Sequence, residues 1–384
     1  MKIHRYLQDT IKANVGKRKI LIIYGPRQVG KTTVVKEFLS TPHGADPKSV
    51  YYNCDQDETR TLLESANLEK LGALITKYDT VVIDEAQKVK GIGLALKIMF
   101  DNFPEKKYIV TGSSSFDLAH SVGEPLTGRF FSYTMFPVAE LELANSVANP
   151  IELRESLDSR LIYGSYPEVI TTSDSDTKKE IIKNIASNYL FKDILALGTV
   201  RNPDDLRRLL QALALQGGNE VSHSELAQTL AIDKNTVKRY LEICEKLYIL
   251  FSLPPYVSNK RKSISMLKKY YFYDLGIRNA LINNFNPLAS RNDVGALWEN
   301  YMIAERMKFN SARGFDPTYY FFRSYDKQEI DLFEDEGGAI NGYEFKFTKD
   351  SISRATREVF EHDIKGTTLE LINRDNYSRF IGGV

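Results

Sequence analysis

Gly25-Pro26-Arg27-Gln28-Val29-Gly30-Lys31-Thr32 fills every position of the pattern G-x-x-x-x-G-K-[ST], and no other stretch of the chain restricts its fold as much. An apolar run, Lys19 to Tyr24, precedes it, and a helical run from Thr33 to Leu39 follows. That order of strand, loop and helix builds an anion cradle. Glycines let the backbone curl so that successive N–H groups face a phosphate, and the helix N-terminus adds partial positive charge. Gly25 to Thr33 therefore read as an ATP-binding segment, with Lys31 reaching the β- and γ-phosphates and the Thr32 hydroxyl on Mg²⁺.

A cradle of this kind needs an acidic strand. Val81-Val82-Ile83-Asp84-Glu85 supplies one, with Asp84 placed to hold Mg²⁺ through water and Glu85 to orient or deprotonate the attacking water. Alone, such a pair reads as a solvated strand end or a helix cap; after a phosphate loop the functional reading prevails. A further strand, Tyr108 to Thr111, runs into Gly112-Ser113-Ser114-Ser115, where Ser113 or Ser114 either senses the γ-phosphate or caps the next helix. Leu126-Thr127-Gly128-Arg129 offers a cation for the transferring phosphoryl group, in its own chain or in a neighbour's site, or else a surface ion pair.

Between Lys19 and about Ala139, short apolar segments at Ile20 to Tyr24, Ser49 to Asn53, Thr80 to Ile83 and Lys107 to Thr111 alternate with amphipathic helices, which predicts an α/β fold with a parallel sheet. The 384 residues allow two or three compact units. Pattern changes divide them into 1–145, a helical lid and linker at 146–200, a three-helix segment at 201–275, and a small α/β unit at 290–384. A formal net charge of +1 confines any nucleic-acid contact to local basic patches. Cys54 and Cys244 are too far apart in sequence for a disulfide framework or a paired-ligand metal site, which suits a reducing cytosol. Met1 to Thr10 lacks the apolar core of a signal peptide, and no stretch reaches the roughly 20 apolar residues of a membrane span, so a cytoplasmic protein is expected.

In the three-helix segment, Ser222 and Glu225 form a capping box, and Asp233 caps a helix whose core-facing residues are Val237, Tyr240, Leu241, Cys244 and Leu247. Two strand-like runs around a basic turn follow, as in a winged helix. Lys234, Asn235, Lys238 and Arg239 lie on the opposite face, where a recognition helix meets the major groove, and Lys260, Arg261 and Lys262 in the wing suit a phosphate backbone. Such folds also serve as protein-interaction modules, with solvated basic residues.

Near the C-terminus, Gln328-Glu329-Ile330-Asp331-Leu332 and Gly342-Tyr343-Glu344-Phe345-Lys346 read as neighbouring strands, with Glu344 and Lys346 on one face by period two. Asp331 and Glu344 can gather Mg²⁺ or Mn²⁺ while Lys346 steadies an attacking water; taken separately, Glu344 and Lys346 are a surface ion pair.

Gly25 to Thr33, Val81 to Gln87, Thr111 to Ser115, Leu126 to Arg129 and Tyr163 to Val169 together resemble a family of prokaryotic AAA-type ATPases that carry a C-terminal DUF4143 domain. That resemblance implies a sensor or finger role for Arg129 and a tendency to form homo-oligomers. The last unit is similar to the PD-(D/E)xK nuclease superfamily, a restriction-endonuclease-like fold, which adds Glu299 on the preceding helix to Asp331, Glu344 and Lys346. A Pro before Asp331 is missing from the pattern. Two functions are thereby expected: an ATPase driving a DNA-binding, DNA-cleaving unit, or an ATP-timed regulatory switch with an inactive C-terminal domain. A helicase is disfavoured, since a single ATPase core is present without further helicase motifs.

Overall fold

Five short strands, β1 (Ile20–Tyr24), β2 (Ser49–Asn53), β3 (Thr80–Asp84), β4 (Lys107–Thr111) and β5 (Phe130–Thr134), lie in the order β2-β3-β4-β1-β5 with every pairing parallel. The computed structural model describes residues 2–40, 48–112, 125–147, 149–189, 200, 202–257, 266–324, 328–349, 351–363 and 367–382. β1 and β3 are buried along their whole length, which is why Ile20 to Tyr24 and Val81 to Ile83 are apolar runs: a parallel strand covered on both faces has no polar side. β5 is the one strand of this sheet that the pattern does not predict. Phe-Phe-Ser-Tyr-Thr sits at a sheet edge with every residue at least partly exposed, so it carries no buried-strand signature.

The chain divides into two compact units, the first comprising Ile3–Pro137 and Lys246–Tyr248, the second Val138–Glu245 and Ile249–Val384. Within the first, β4 separates β3 from β1, so the C-terminal ends of these three strands stand side by side. Ligands of open parallel sheets bind at that edge.

The second unit holds three helices, Pro203–Leu215, His223–Leu230 and Lys234–Lys246, and three antiparallel strands, β6 (Glu220–Val221), β7 (Leu250–Leu253) and β8 (Lys268–Phe272), in the order β6-β8-β7. A 19-residue helix, Val294–Ala312, then leads into β9 (Thr318–Arg323), β10 (Glu329–Glu336) and β11 (Ala339–Phe345), which pair antiparallel. The helix Arg354–Asp363 returns the chain to β12 (Thr368–Ile372), parallel to β11. One apolar cluster runs through Leu161, Phe251, Tyr271, Trp298, Phe321 and Phe345, so the segments 146–200, 201–275 and 290–384 share a core.

Candidate nucleotide site and C-terminal acidic cluster

The phosphate loop leaves β1 at Gly25, whose φ of +148° and close approach to the Met135 carbonyl leave no room for a Cβ. Gln28 and Gly30 also take positive φ, and Lys31 opens the helix Lys31–Ser40. The Lys31 side chain is buried and curls back over the loop, donating from Nζ to the carbonyls of Gly25 (2.8 Å) and Pro26 (2.7 Å). A buried ammonium at the mouth of an amide-lined curl is a receptor for a polyanion. Arg5, just before the helix Tyr6–Asn14, braces the loop from behind: its guanidinium donates to the carbonyls of Val29 (2.5 Å) and Phe136 (2.7 Å).

Asp84 is the hub of the site. It is 2% exposed at the end of β3 and accepts hydrogen bonds from Thr32 Oγ1 at 2.8 Å, from the Tyr51 hydroxyl and from Thr111 Oγ1. Burial, and then its bond to Asp84, push the Tyr51 phenol pKa up. Hydroxyl and carboxylate oxygens are the donors that Mg²⁺ selects, and Mg²⁺ usually takes one or two protein ligands with phosphate oxygens and water completing its shell. Thr32 and Asp84 fit that ion. Glu85 follows in the left-handed region, φ 57°, a conformation that costs a non-glycine residue about 1–3 kcal/mol and that concentrates at functional sites. Its N–H donates to Thr111 Oγ1 (3.2 Å), and Gln87 Nε2 holds its carboxylate at 2.6 Å.

In the second unit, Glu299 of the helix Val294–Ala312, Asp331 of β10, and Glu344 and Lys346 at the end of β11 do converge, but not around an oxygen cage. Glu299 Oε1 accepts from the Tyr271 hydroxyl (2.6 Å) and Lys269 Nζ (3.3 Å), both from β8. Lys269 also pairs with Glu329. Asp331 Oδ2 accepts from the Phe345 N–H (2.8 Å), and Lys346 Nζ lies 2.6 Å from Glu344 Oε1. Glu344 Oε2 is buried with no hydrogen-bond partner. Burial, with Glu299 and Glu344 adding to it, raises the Asp331 pKa well above the carboxylate range, against the pull of Lys269 and Lys346. Burial raises Glu344 as well, opposed by its hydrogen bond from Lys346. Among the described residues, no three or more His, Cys, Asp or Glu side chains stand in an arrangement that holds a metal ion. The expected centre at Asp331 and Glu344 does not fit a metal in this arrangement: the Phe345 N–H holds Asp331 Oδ2, the Lys346 ammonium holds Glu344 Oε1, and Lys269 adds a second positive charge beside the cluster.

Residues 17–144 match the family model described as AAA domain, 294–374 that of a domain of unknown function, DUF4143, and 154–288 that of another, DUF8612. The chain joins an AAA domain to a DUF4143 domain. Uncharacterized protein Rv2008c of Mycobacterium tuberculosis is 27% identical over 344 residues, covering 88% of this chain and 73% of the relative. Uncharacterized protein MJ1544 of Methanocaldococcus jannaschii is 26% identical over 346 residues, covering 85% and 75%. Among solved structures, the Aeropyrum pernix Orc1 protein in complex with DNA is similar over 74% of this chain and 93% of its own, at 14% identity and a TM-score of 0.36. AMPPCP-bound DnaA from Aquifex aeolicus is similar over 67% and 88%, at 16% identity and 0.32. The α/β assignment of the AAA domain rests on its strand order and phosphate loop.

The AAA domain places Arg129 elsewhere than at its own phosphate loop. Arg129 precedes β5, and its carbonyl accepts from the N–H of Ile20, the first residue of β1. The loop leaves the other end of β1, about 16 Å away at the usual strand rise. There Arg129 pairs with Asp101 through Nε (2.7 Å) and Nη2 (3.2 Å), which lowers the Asp101 carboxyl. The separation along β1 puts Arg129 out of reach of the phosphate loop of its own chain and leaves a surface ion pair or a neighbour's site as its place of work. Lys234, Asn235, Lys238 and Arg239 are exposed on the helix Lys234–Lys246, behind an Asp233 cap that accepts from the Asn235 N–H at 2.8 Å. Burial, then Lys234, Lys268 and Lys238, lower the nearby His223. Ser113, Lys260, Arg261 and Lys262 lie outside the described residues. Sequence reasoning missed Arg5, Tyr51, Thr111, Lys269 and Tyr271. Thr111 alone carried a signal, as the last residue of the strand that runs into Gly112 to Ser115.

Proposed function

We propose that the chain is a Mg²⁺-dependent ATPase whose nucleotide cycle governs DNA contact by its second unit. The Thr32–Asp84–Thr111 linkage beside a buried Lys31 carries the reading. The loop amides and Lys31 bind the phosphates. Mg²⁺, when bound with the nucleotide, neutralises charge on the phosphate oxygens. Thr32 and Asp84 hold its place, and Glu85, steadied by Gln87, accepts the proton of the water that attacks the γ-phosphate. In this reading residues 201–275 form a winged helix that meets DNA through Lys234, Asn235, Lys238 and Arg239, and Arg129 serves the site of a neighbouring copy. No described helix is long and apolar enough to cross a membrane. The decisive measurement is Mg²⁺-dependent phosphate release by wild type, Lys31→Ala and Glu85→Gln, with an expected loss of about a hundredfold or more in both variants. Turnover at the wild-type rate in both would overturn the assignment.

A second reading, DNA cleavage by the DUF4143 domain, rests on the convergence of Glu299, Asp331, Glu344 and Lys346 and requires the lysines of the cluster to move aside before a metal enters. Linear, supercoiled, single-stranded and branched DNA, incubated with Mg²⁺ or Mn²⁺, tests it. Cleavage by wild type that disappears in Glu344→Ala establishes a nuclease; intact DNA throughout leaves the ATP-timed switch.

A further inference from the structure

The acidic cluster of the second unit is a burial problem that two lysines answer. Four carboxylates, Glu299, Glu329, Asp331 and Glu344, face two ammonium groups, Lys269 and Lys346. Lys346 reaches in from the solvent side, its side chain 35% exposed, and serves Glu344. Lys269 is of another kind. Its side chain is 2% exposed, enters from β8, and contacts Glu299 and Glu329 while its ammonium stands 5.2 Å from the centre of the Phe321 ring. Tyr271, two residues on along the same face of β8, completes the capture of Glu299. Gly218 also lies close to Glu299: a Cβ there would stand 2.9 Å from Glu299 Oε2.

An isolated ammonium in such a place would be strongly disfavoured by desolvation, and so would the carboxylates without it. A divalent ion bound by the same carboxylates would sit about 2.0–2.6 Å from their oxygens. It would then be within a few ångströms of the Lys269 charge, a like-charge contact that low-polarity surroundings amplify. Ammonium and divalent ion therefore compete for one position. Glu344 Oε2, buried and without a partner, is the oxygen that Lys269 and Lys346 leave unserved.

We propose that Lys269 is a built-in counter-ion that occupies the cation position of the acidic cluster, so that β8 keeps the cluster closed to divalent metal until Lys269 is withdrawn. The inference concerns what neutralises the cluster, and it holds whether or not the chain cuts DNA. The test is Mn²⁺ binding to the full chain, read by the loss of the free-ion electron paramagnetic resonance signal. Asp84→Asn is present throughout to silence the nucleotide site. Lys269→Met is expected to bind one Mn²⁺ at least tenfold tighter than the Asp84→Asn parent, and adding Glu344→Gln is expected to reverse the gain. Lys269→Arg, which keeps the charge, should bind no better than the parent. If Lys269→Met folds poorly, a refolding yield that rises with Mn²⁺ and falls with chelator reports the same competition. Equal or weaker Mn²⁺ binding by Lys269→Met than by its parent, or no Mn²⁺ rescue of a poorly folding variant, overturns the proposal.

Discussion

The Asp84 carboxylate takes three hydroxyl donors, and each does a different job. Thr32 belongs to the loop, while Tyr51 and Thr111 come from the neighbouring strands β2 and β4 and fix the carboxylate between them. Thr111 does more, because its oxygen also accepts the Glu85 N–H and so ties Asp84 to Glu85. Replacing it by the isosteric valine should leave ATP affinity within about threefold while lowering turnover roughly ten- to a hundredfold, or ~1.4–2.7 kcal/mol of barrier. Nucleotide binding by fluorescence and steady-state phosphate release check the two halves separately; a loss of affinity equal to the loss of rate would assign Thr111 to binding. At this scale the loop, Asp84 and Glu85 were legible in the sequence, because their positions follow from local order along the chain. The sequence did not show Tyr51 or Arg5, whose roles depend on strand pairing and on the packing of a helix that carries no motif. Lys269 was hidden for a related reason: in the sequence it is one of two lysines at the start of a strand, and only the pairing of β8 turns it inward.

Elements follow the same division between local and non-local causes. The helix Lys234–Lys246 was legible because its cap and its apolar face are written in consecutive residues, and Val237, Tyr240, Leu241 and Cys244 are indeed buried. Its exposed face makes a prediction by salt. Replacing Lys238 and Arg239 together by glutamate should weaken DNA binding for all sequences and reduce the slope of log affinity against log salt by about 2, the loss of two phosphate contacts. Fluorescence anisotropy over a salt series reads this, and an unchanged slope would move the DNA contact off the helix. The helix Val294–Ala312 begins beside Asp293, which takes Arg278 (2.6 Å) and Arg291 (2.8 Å) as partners. Burial acts to raise the Asp293 carboxyl, but hydrogen bonds from Arg291 and Arg278 outweigh it and hold the pKa down to about 2. A depressed carboxylate stabilises the fold fully above its unfolded pKa and loses that contribution as pH falls through the folded one. Asp293→Asn should thus be less stable than wild type at pH 7, with the gap closing between about pH 4 and pH 2. Urea titrations across that range check it; a constant gap would mean that the charge of Asp293 contributes nothing.

For the whole molecule the telling residue is Arg129, because its place in the AAA domain and its expected work disagree within one chain. It lies at the strand-start edge of the sheet, bound to Asp101, with both side chains about one-third exposed. Solvent screens such a pair, so the guanidinium is available to a partner of opposite charge. A neighbouring copy presenting its nucleotide site offers the γ-phosphate. Arg129→Ala should then lose most turnover while still binding ATP, and Asp101→Ala should not. Lys31→Ala, with an intact arginine and a dead loop, should be inactive too. Mixing the two inactive chains joins a working loop from one to a working arginine from the other, so turnover should reappear and rise with total protein concentration. Activity restored on mixing makes the ATPase a shared site. Full activity of Arg129→Ala at every concentration would return Arg129 to a surface ion pair, with the AAA domain completing its chemistry alone.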